Sequence, residues 1–273
     1  MFGEPTSAEQ FCSLAQWENY EGYRAMYEAD SKYRQGLLIW MSHACWPSLT
    51  WQCYDYYFEP TAAFYGVRKA CEPLHIQWNA LTRCVEVVNR TQTDKPQLTA
   101  TRDILDINGK TLRSENVTLN ATHDATIVLD ALRTDSVPDA LNGTVYYLRL
   151  ALRDADNHIL SDNFYVLSTD EGNLQQLNSL TEVNLVTYTS RPSANTLALT
   201  LRNESDTPAM MIRLMLKTDD GKRVLPVDYA DNYFHLMPGE ERTVNVTWNE
   251  ADARKQAPFV ELTGFNVKQR TLR

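Results

Sequence analysis

Beyond about residue 80 the chain alternates apolar and polar residues with a period of two, and this pattern restricts it to β-structure. In the segment GTVYYLRLALRD, the side chains of Tyr146, Leu148 and Leu150 fall on one face of a strand. Those of Arg149 and Arg153 fall on the other face. Because successive side chains of a strand point in opposite directions, the pattern predicts an antiparallel strand with one buried face.

The β-rich part contains an internal repeat. The segment RLALRDADN followed by DNFYVL is echoed later in the chain by RLMLKTDDG followed by DNYFHL. The pair Asn108-Gly109 is typical of a hairpin turn between strands. We therefore predict two immunoglobulin-like β-sandwiches in tandem, over residues 79–170 and 171–273.

The first 78 residues have a different composition, with five of the six tryptophans of the chain. Ser7 and Gln10 form a capping box, and no proline follows before Gly36, so we predict one helix that ends at Gly36. The apolar run LLIWM, residues 37–41, predicts a strand buried on both faces. One helix and one such strand are a single unit of a parallel α/β fold, which cannot form a stable domain alone.

The predicted helix has two apolar faces. One face carries aromatic rings at helical spacing, which are those of Trp17, Tyr20, Tyr23 and Tyr27. The other carries small residues, which are Ala15, Gly22, Ala25 and Ala29. A helix that is apolar on two faces is normally buried between layers, so we expect neighbours on both sides.

Composition excludes several classes of partner. The net charge of -9 argues against nucleic-acid binding, because such proteins need basic surfaces that displace counterions. The longest apolar run is too short to span a bilayer, so we expect no membrane partner.

The five cysteines lack zinc-ligand spacing and are expected to be free thiols. Six N-x-S/T triplets occur, among them those at Asn89 and Asn203, and four of the six lie in polar, Thr-rich strands or turns where such triplets arise by chance, so the triplets do not indicate a secretory route.

Familiar catalytic motifs are missing from the sequence. We expect no metal ion and no cofactor, and we interpret the acidic turns at Asp154 and Asp156 as solvated turn residues. Tyr229, Tyr233 and Phe234 could form an aromatic platform on a sandwich, but we expect them in the core.

Aromatic residues crowd the stretch that follows the apolar run. They have two explanations, namely packing between domains or stacking against a sugar. We assign Tyr54, Tyr56 and Tyr57 to packing. Trp46, where the chain leaves the predicted strand, is the strongest candidate for a ligand contact, and Trp40 fits either role.

Four segments in register carry a resemblance to a known family: WPSLTWQCYDYY, FYGVRKACEPLHIQW, SDNFYVLS and YADNYFHLMPGE. They resemble the exo-β-D-glucosaminidase branch of the family 2 glycoside hydrolases, near the β-mannosidases. The resemblance implies a mainly β C-terminal part of such an enzyme, with a helix-strand remnant of a (β/α)₈ barrel in residues 1–78 followed by the two sandwiches. It implies a retaining exo-β-glycosidase that acts on non-reducing terminal sugars of β-linked chains and is periplasmic or secreted.

The resemblance also implies roles for particular residues. The rim of the eighth barrel strand bounds the terminal-sugar site, which makes Ser42, His43 and Trp46, together with Trp40, the substrate-binding residues. The resembling enzymes often carry asparagine at the position of His43. Their two catalytic carboxylates come from the fourth and seventh barrel strands, so we expect no catalytic residue in this chain. Asp55 and Glu59 are expected to serve hydrogen bonding or packing.

The implied partners are a carbohydrate substrate and an upstream catalytic barrel domain in the full-length enzyme. In the isolated chain we expect the remnant to fold onto the first sandwich or to self-associate, because a severed barrel unit exposes apolar surface. A stand-alone carbohydrate-binding or structural β-sandwich protein is the alternative.

Overall fold

The computed structural model describes residues 1–29, 36–48, 52–132, 141, 143–170 and 172–273. In these residues the chain forms two α-helices, α1 (Ala8–Glu28) and α2 (Ala62–Ala70), which are followed by fifteen β-strands. The fold is mainly β with a short helical N-terminal part, and this confirms the predicted fold class.

Two compact units divide the chain, and neither is continuous in sequence. The first unit consists of Met1–Glu4, Gly22–Leu38 and Gly66–Ser179. The second consists of Pro5–Glu21, Ile39–Tyr65 and Leu180–Arg273. Both helices therefore begin in the second unit and end in the first. The predicted domain boundaries at residues 78 and 170 stay predictions.

An antiparallel β-sandwich forms most of the first unit. Its described strands are β1 (Leu74–Asn79), β2 (Cys84–Asn89), β3 (Lys95–Asp106), β4 (Thr111–Ala121), β5 (Ala125–Ala131), β6 (Val145–Arg153) and β7 (Ile159–Ser168). One sheet has the order β1-β2-β5, and the other has the order β4-β3-β6-β7. Alternate residues of the two sheets, among them Ile76, Val87, Ile104 and Leu150, form one buried cluster between them.

The second unit contains a sandwich of the same style. Its described strands are β8 (Val186–Ser193), β9 (Thr196–Arg202), β10 (Ala209–Lys217), β11 (Val227–Tyr229), β12 (Phe234–Leu236), β13 (Glu241–Trp248), β14 (Phe259–Thr263) and β15 (Arg270–Leu272). They form the sheets β11-β13-β9-β8 and β12-β10-β14-β15. Leu199, Leu214, Val244 and Leu262 are fully buried in its core.

Side chains cap the start of α1. The Gln10 backbone N–H donates to Ser7 Oγ at 3.1 Å, as the predicted capping box requires. In return, Gln10 Oε1 accepts hydrogen bonds from the backbone N–H and the hydroxyl of Thr6, whereas a capping box would use the backbone N–H of Ser7. These bonds satisfy N–H groups that have no partner within the helix, and so they stabilise its first turn.

The helix is shorter than predicted and buries one face rather than two. It ends at Glu28, and Trp17 on its aromatic face is 1% exposed. Gly22, Ala25 and Ala29 of the predicted small-residue face are exposed. The prediction of neighbours on both sides is therefore wrong, because no described part of the chain covers this second face.

The predicted strand at residues 37–41 is also wrong. These residues form no regular structure, and Leu38 and Trp40 are 100% and 86% exposed. A strand persists only where neighbouring strands satisfy its backbone N–H and C=O groups. In the described residues no strand pairs with this run, so the apolar pattern alone does not produce one.

A buried carboxylate, that of Glu28, organises the end of α1 in the first unit. Glu28 is 5% exposed, and it accepts hydrogen bonds from Tyr165 Oη (2.9 Å) and Asn163 Nδ2 (2.8 Å). Arg24, one turn earlier, donates to Asn163 Oδ1 at 2.9 Å, and its guanidinium lies 4.1 Å from the centre of the Tyr165 ring. Helix α1 is thus connected to β7 by a network of buried hydrogen bonds.

His75, on β1, lies between two carboxylates of the same network. Its Nε2 is 3.0 Å from Glu28 Oε1, and its Nδ1 is 3.2 Å from Glu72 Oε2. Burial alone would lower the pKa of His75, but the hydrogen bonds and charges of these carboxylates raise it above its ordinary value. With the ring protonated, the cluster contains three cations and three anions. The cations are Arg24, Lys69 and His75, and the anions are Glu28, Glu72 and Asp162.

Replacing His75 by glutamine should destabilise the chain by about 3–5 kcal/mol near pH 6, because the buried Glu28 carboxylate then loses the imidazolium that pairs with it. The stabilisation from the protonated ring is fully present below its unfolded pKa of about 6.5 and is lost as the pH rises through the higher folded pKa. The free energy of unfolding of the wild type should therefore fall between pH 6 and pH 9, and that of H75Q should change less. Urea unfolding at both pH values measures the difference.

The matched control is His123→Gln, because His123 is 59% exposed and pairs with Asp94 at the surface. This substitution should leave the unfolding free energy nearly unchanged. A wild-type stability that rises towards pH 9, or equal effects of the two substitutions, would contradict the assignment.

Candidate functional site

Backbone hydrogen bonds hold together the aromatic segment, defined as residues 40–48 and 52–65 of the second unit. The Tyr54 N–H donates to the Ser42 carbonyl at 3.0 Å, and His43 forms a parallel bridge with Tyr54. The Thr61 N–H donates to the Cys53 carbonyl at 2.9 Å. The two parts of the segment therefore lie side by side, although no extended sheet forms.

Asp55 builds a tight turn that presents three aromatic rings to solvent. Its Oδ1 accepts from the backbone N–H groups of Tyr57 (2.8 Å) and Glu59 (3.0 Å), and its carbonyl accepts from Phe58 N–H (3.0 Å). Tyr56, Tyr57 and Phe58 are 41%, 53% and 61% exposed. The prediction that Tyr56 and Tyr57 serve packing is therefore wrong, because the turn directs them away from the core.

An ionic cluster around the buried Glu59 carboxylate attaches this turn to the second sandwich. Glu59, which is 4% exposed, pairs with Arg223 and with Arg213 on β10, the latter at 3.3 Å. Arg223 also binds Asp55 Oδ2 at 2.7 Å and lies over the Tyr57 ring at 4.8 Å. Asp55 and Glu59 thus have the predicted hydrogen-bonding role. The expectation that this segment folds onto the first sandwich is wrong, since its charged partners belong to the second.

Electrostatics in this cluster favour ionised arginines. Burial alone would lower the pKa of Arg223, but its hydrogen bonds to Asp55 and Glu59 and their charges raise it. Burial, partly offset by the nearby Arg213 guanidinium, raises the pKa of Tyr233 to about 12, so its phenol stays protonated at neutral pH.

The predicted site residues fall into two groups in the structure. The His43 ring stacks on Phe58, with centres 4.2 Å apart and planes at 10°, and its Nε2 is 3.3 Å from the Tyr56 carbonyl oxygen. Ser42 is tied to Tyr54 through its backbone carbonyl, as described above. Trp46 is 68% exposed and, like Trp40, presents its indole to solvent. The structure places His43 against Phe58 of the Asp55 turn and leaves the indoles of Trp40 and Trp46 exposed to solvent.

Sequence reasoning missed Phe58 as a neighbour of the candidate site. Phe58 has a φ of 66°, a left-handed conformation that is rare for a bulky residue and is held here by the Asp55 turn. The signal that could have found it is Asp55 itself, because Asp side chains often accept from backbone N–H groups two residues further on.

Other features singled out in the sequence can be placed in the structure. Asp154 Oδ1 accepts from the N–H groups of Asp156 (3.0 Å) and His158 (2.8 Å), as in a solvated turn. Tyr229, Tyr233 and Phe234 are buried in the core of the second unit. The five cysteines are free thiols. In the described part of the chain no helix is both long and apolar enough to cross a bilayer.

Two family models match the β-rich part of the chain. Residues 84–169 match a mannosidase Ig/CBM-like domain. Residues 163–267 match the Ig-fold domain of exo-β-D-glucosaminidase.

Whole-chain comparisons find related enzymes. An exo-β-D-glucosaminidase of Streptomyces avermitilis is 31% identical over 99% of this chain and 33% of its own length. One from Amycolatopsis orientalis is also 31% identical, over 99% of this chain and 29% of its own length. A mannosylglycoprotein endo-β-mannosidase of Lilium longiflorum is 28% identical over 98% of this chain and 35% of its own length. The chain therefore spans about a third of the length of these relatives.

Solved structures agree in fold. The exo-chitosanase of Amycolatopsis orientalis superposes with a TM-score of 0.88 at 29% identity, over 99% of this chain and 35% of that one. A β-D-mannosidase from Dictyoglomus thermophilum superposes with a TM-score of 0.71 at 17% identity, over 98% of this chain and 31% of that one, and shows the fold alone.

Fold and comparisons together define the class: the sandwiches are Ig-fold domains of the family 2 glycoside hydrolases. Over its whole length the chain is homologous to exo-β-D-glucosaminidases and, at lower identity, to a mannosylglycoprotein endo-β-mannosidase.

Replacing Glu59 by glutamine should destabilise the chain by about 3 kcal/mol, because Arg213 and Arg223 then lose a buried counter-charge. Urea unfolding followed by tryptophan fluorescence measures the change. The double substitution with Arg223→Gln should cost less than the sum of the two single ones, since both remove the same contact.

The control is Glu261→Gln, which breaks the half-buried pair with Lys217 on the same sandwich. Its cost should be at most about 1 kcal/mol. If E59Q and E261Q lower the free energy of unfolding by the same small amount, the ionic cluster does not anchor the Asp55 turn.

Proposed function

We propose that this chain is the part of a retaining exo-β-glycosidase that supplies the rim of the terminal-sugar site and two supporting β-sandwiches. The substrate would be the non-reducing end of a β-linked oligo- or polysaccharide of glucosaminide or mannoside type. The observation that carries the proposal is the similarity over 99% of the chain to exo-β-D-glucosaminidases. The whole enzyme would be periplasmic or secreted, because a polymeric substrate does not cross the cell membrane.

The exposed rings of the aromatic segment support the sugar-binding part of the proposal. Trp46 and Trp40 offer flat apolar faces of the kind that stack on the C–H face of a pyranose ring. Ser42 and His43, beside them in the chain, bring a hydroxyl and an imidazole that can hydrogen-bond sugar hydroxyl groups. Stacking on Phe58 fixes the plane of the His43 ring before a ligand arrives, which reduces the entropy lost on binding.

Catalysis would depend on carboxylates outside this chain. A retaining glycosidase needs two carboxyl groups about 5–5.5 Å apart, one as acid/base and one as nucleophile. Asp55 and Glu59 are close together, but both are ion-paired with Arg223, and Glu59 is shielded from solvent. The proposal therefore assigns the catalytic pair to a barrel domain that would complete the site, and it gives the sandwiches a bracing role.

The isolated 273-residue chain should not hydrolyse chromogenic β-glucosaminides, β-mannosides or β-galactosides above the rate in buffer. The reason is that both carboxylates of the described aromatic segment, Asp55 and Glu59, are ion-paired with Arg223. Release of nitrophenol over several hours measures this. Turnover by the wild type that is abolished in E59Q would instead make Asp55 and Glu59 the catalytic pair and would overturn the assignment.

A chimaera tests the rim residues. This chain should replace the matching third of the Amycolatopsis orientalis enzyme, and Trp46→Ala in that chimaera should lower kcat/KM for a β-glucosaminide by roughly 30-fold. That factor corresponds to about 2 kcal/mol, a typical contribution for a stacked indole.

The matched control is Tyr188→Ala, which removes a ring that is 60% exposed on β8 of the second sandwich. It should leave kcat/KM unchanged. An active chimaera that tolerates W46A as well as Y188A would remove Trp46 from the sugar site.

A further inference from the structure

Phe58 occupies a position that the stability of its own turn does not explain. Its φ of 66° lies in the left-handed region, where glycine or asparagine would be less strained than a bulky residue. Its side chain is also 61% exposed, so the ring buries little apolar surface. Strained residues that persist in a fold are concentrated at functional sites, so the contacts of the Phe58 ring indicate what it contributes.

The Phe58 ring lies against the imidazole of His43. The two ring centres are 4.2 Å apart and the planes are inclined by 10°, which is a stacked arrangement. His43 belongs to the other part of the aromatic segment and is joined to the part with the Asp55 turn by the bridge to Tyr54. The stack therefore restricts the rotation of the imidazole and holds the ring in one plane.

A backbone carbonyl determines which nitrogen of the same ring carries hydrogen. His43 Nε2 is 3.3 Å from the Tyr56 carbonyl oxygen, and a carbonyl oxygen only accepts hydrogen bonds. Nε2 is therefore the donor, and in the neutral imidazole the other nitrogen, Nδ1, then has a lone pair. This Nδ1 has no hydrogen-bond partner among the described residues. The ring is thus held as a hydrogen-bond acceptor with one open position.

The carboxylates of the described aromatic segment cannot take this role. Asp55 Oδ1 accepts from two backbone N–H groups, and its Oδ2 pairs with Arg223. The two oxygens of Glu59 pair with Arg213 and Arg223. Their acceptor capacity is used within the fold, which leaves His43 Nδ1 as an open acceptor whose direction is set by the stack.

We propose that Phe58 is a positioning residue that holds His43 as an acceptor, and that His43 Nδ1 recognises the terminal sugar through one O–H or N–H donor. This inference rests on the proposed function, because it assigns a recognition step to the same sugar site. The ligand is a pyranose with a hydroxyl or amino group at the recognised position. A methoxy group at that position would face the Nδ1 lone pair with a second acceptor and would bind more weakly.

Long-range ¹H–¹⁵N spectra of the 273-residue chain, labelled at histidine, test the positioning role, because they report the tautomer of each imidazole. His43 should carry its hydrogen on Nε2, and its signal is assigned by its absence in His43→Phe. Phe58→Leu should increase the fraction with hydrogen on Nδ1, whereas Phe58→Tyr keeps the stack and should not. A wild-type ring with hydrogen on Nδ1, or a tautomer indifferent to Phe58→Leu, would overturn the positioning role.

Kinetics of the chimaera with the Amycolatopsis orientalis enzyme test the recognition step. His43→Phe keeps a flat ring but removes the acceptor, and it should lower kcat/KM for a β-glucosaminide about fivefold to tenfold. Phe58→Leu should raise KM about threefold with kcat nearly unchanged, since only preorganisation is lost, and Phe58→Tyr should restore KM.

Substrates that each lack one hydroxyl or amino group identify the donor. One of them should lose a similar factor with the wild-type chimaera and no further factor with His43→Phe, because both changes remove the same bond. If every substrate loses the same factor with both proteins, His43 Nδ1 does not recognise the sugar.

Tyr188→Leu is the matched control, because it removes an exposed ring of the second sandwich, and it should change neither the tautomer nor KM. Trp46→Ala separates this inference from the proposed function. If W46A lowers kcat/KM while H43F and F58L do not, the sugar site stands and the role of His43 fails. If an active chimaera tolerates all three substitutions, the proposed function fails as well. The tautomer measurement requires no activity, so it decides the positioning role by itself.

Discussion

A carboxylate removed from water has to be matched by cations and hydrogen-bond donors, and the described residues of each unit include such a group at the junction with the N-terminal part. In the first unit Glu28 meets His75, Asn163 and Tyr165, which lie far along the sequence. In the second, Glu59 meets Arg213 and Arg223. Because a buried charge without partners costs several kcal/mol, these contacts specify which strands the N-terminal part must join. Apolar packing alone tolerates more alternatives.

The internal repeat has a structural basis in buried asparagines. Asn163 and Asn232 each accept from the next backbone N–H, at 3.0 and 3.1 Å, and each donates to a carbonyl of a neighbouring strand. Asn89 and Asn203 form a second equivalent pair, since each donates to two carbonyls and accepts from the residue two positions on. Both are fully buried. The N-x-S/T triplets at Asn89 and Asn203 therefore form turns of the two sandwiches.

The sequence predicted what depends on local periodicity and failed where distant partners decide. Alternation around Leu148 and Leu150 predicted the half-buried strand β6, and Asn108-Gly109 predicted the hairpin between β3 and β4, because period and turn chemistry are local. The same rules predicted a strand at residues 37–41. A strand also needs a neighbouring strand to satisfy its backbone N–H and C=O groups, and a local sequence pattern does not show whether one is present. Cross-strand neighbours on β3 and β4 could not be paired from the sequence, since only strand register brings them together.

The aromatic turn shows why the role of a ring cannot be read from its identity. Tyr56, Tyr57 and Phe58 look like core residues by hydrophobicity, yet the Asp55 carboxylate turns the backbone so that all three face outward. Arg223 then holds Asp55 and lies over the Tyr57 ring, so a charge cluster fixes the exposed position of an apolar group. Apolar rings held outward by buried ionic contacts lose little conformational entropy when a partner covers them. That property favours a recognition surface, and it explains why polar residues, rather than apolar packing, determine the shape of this candidate site.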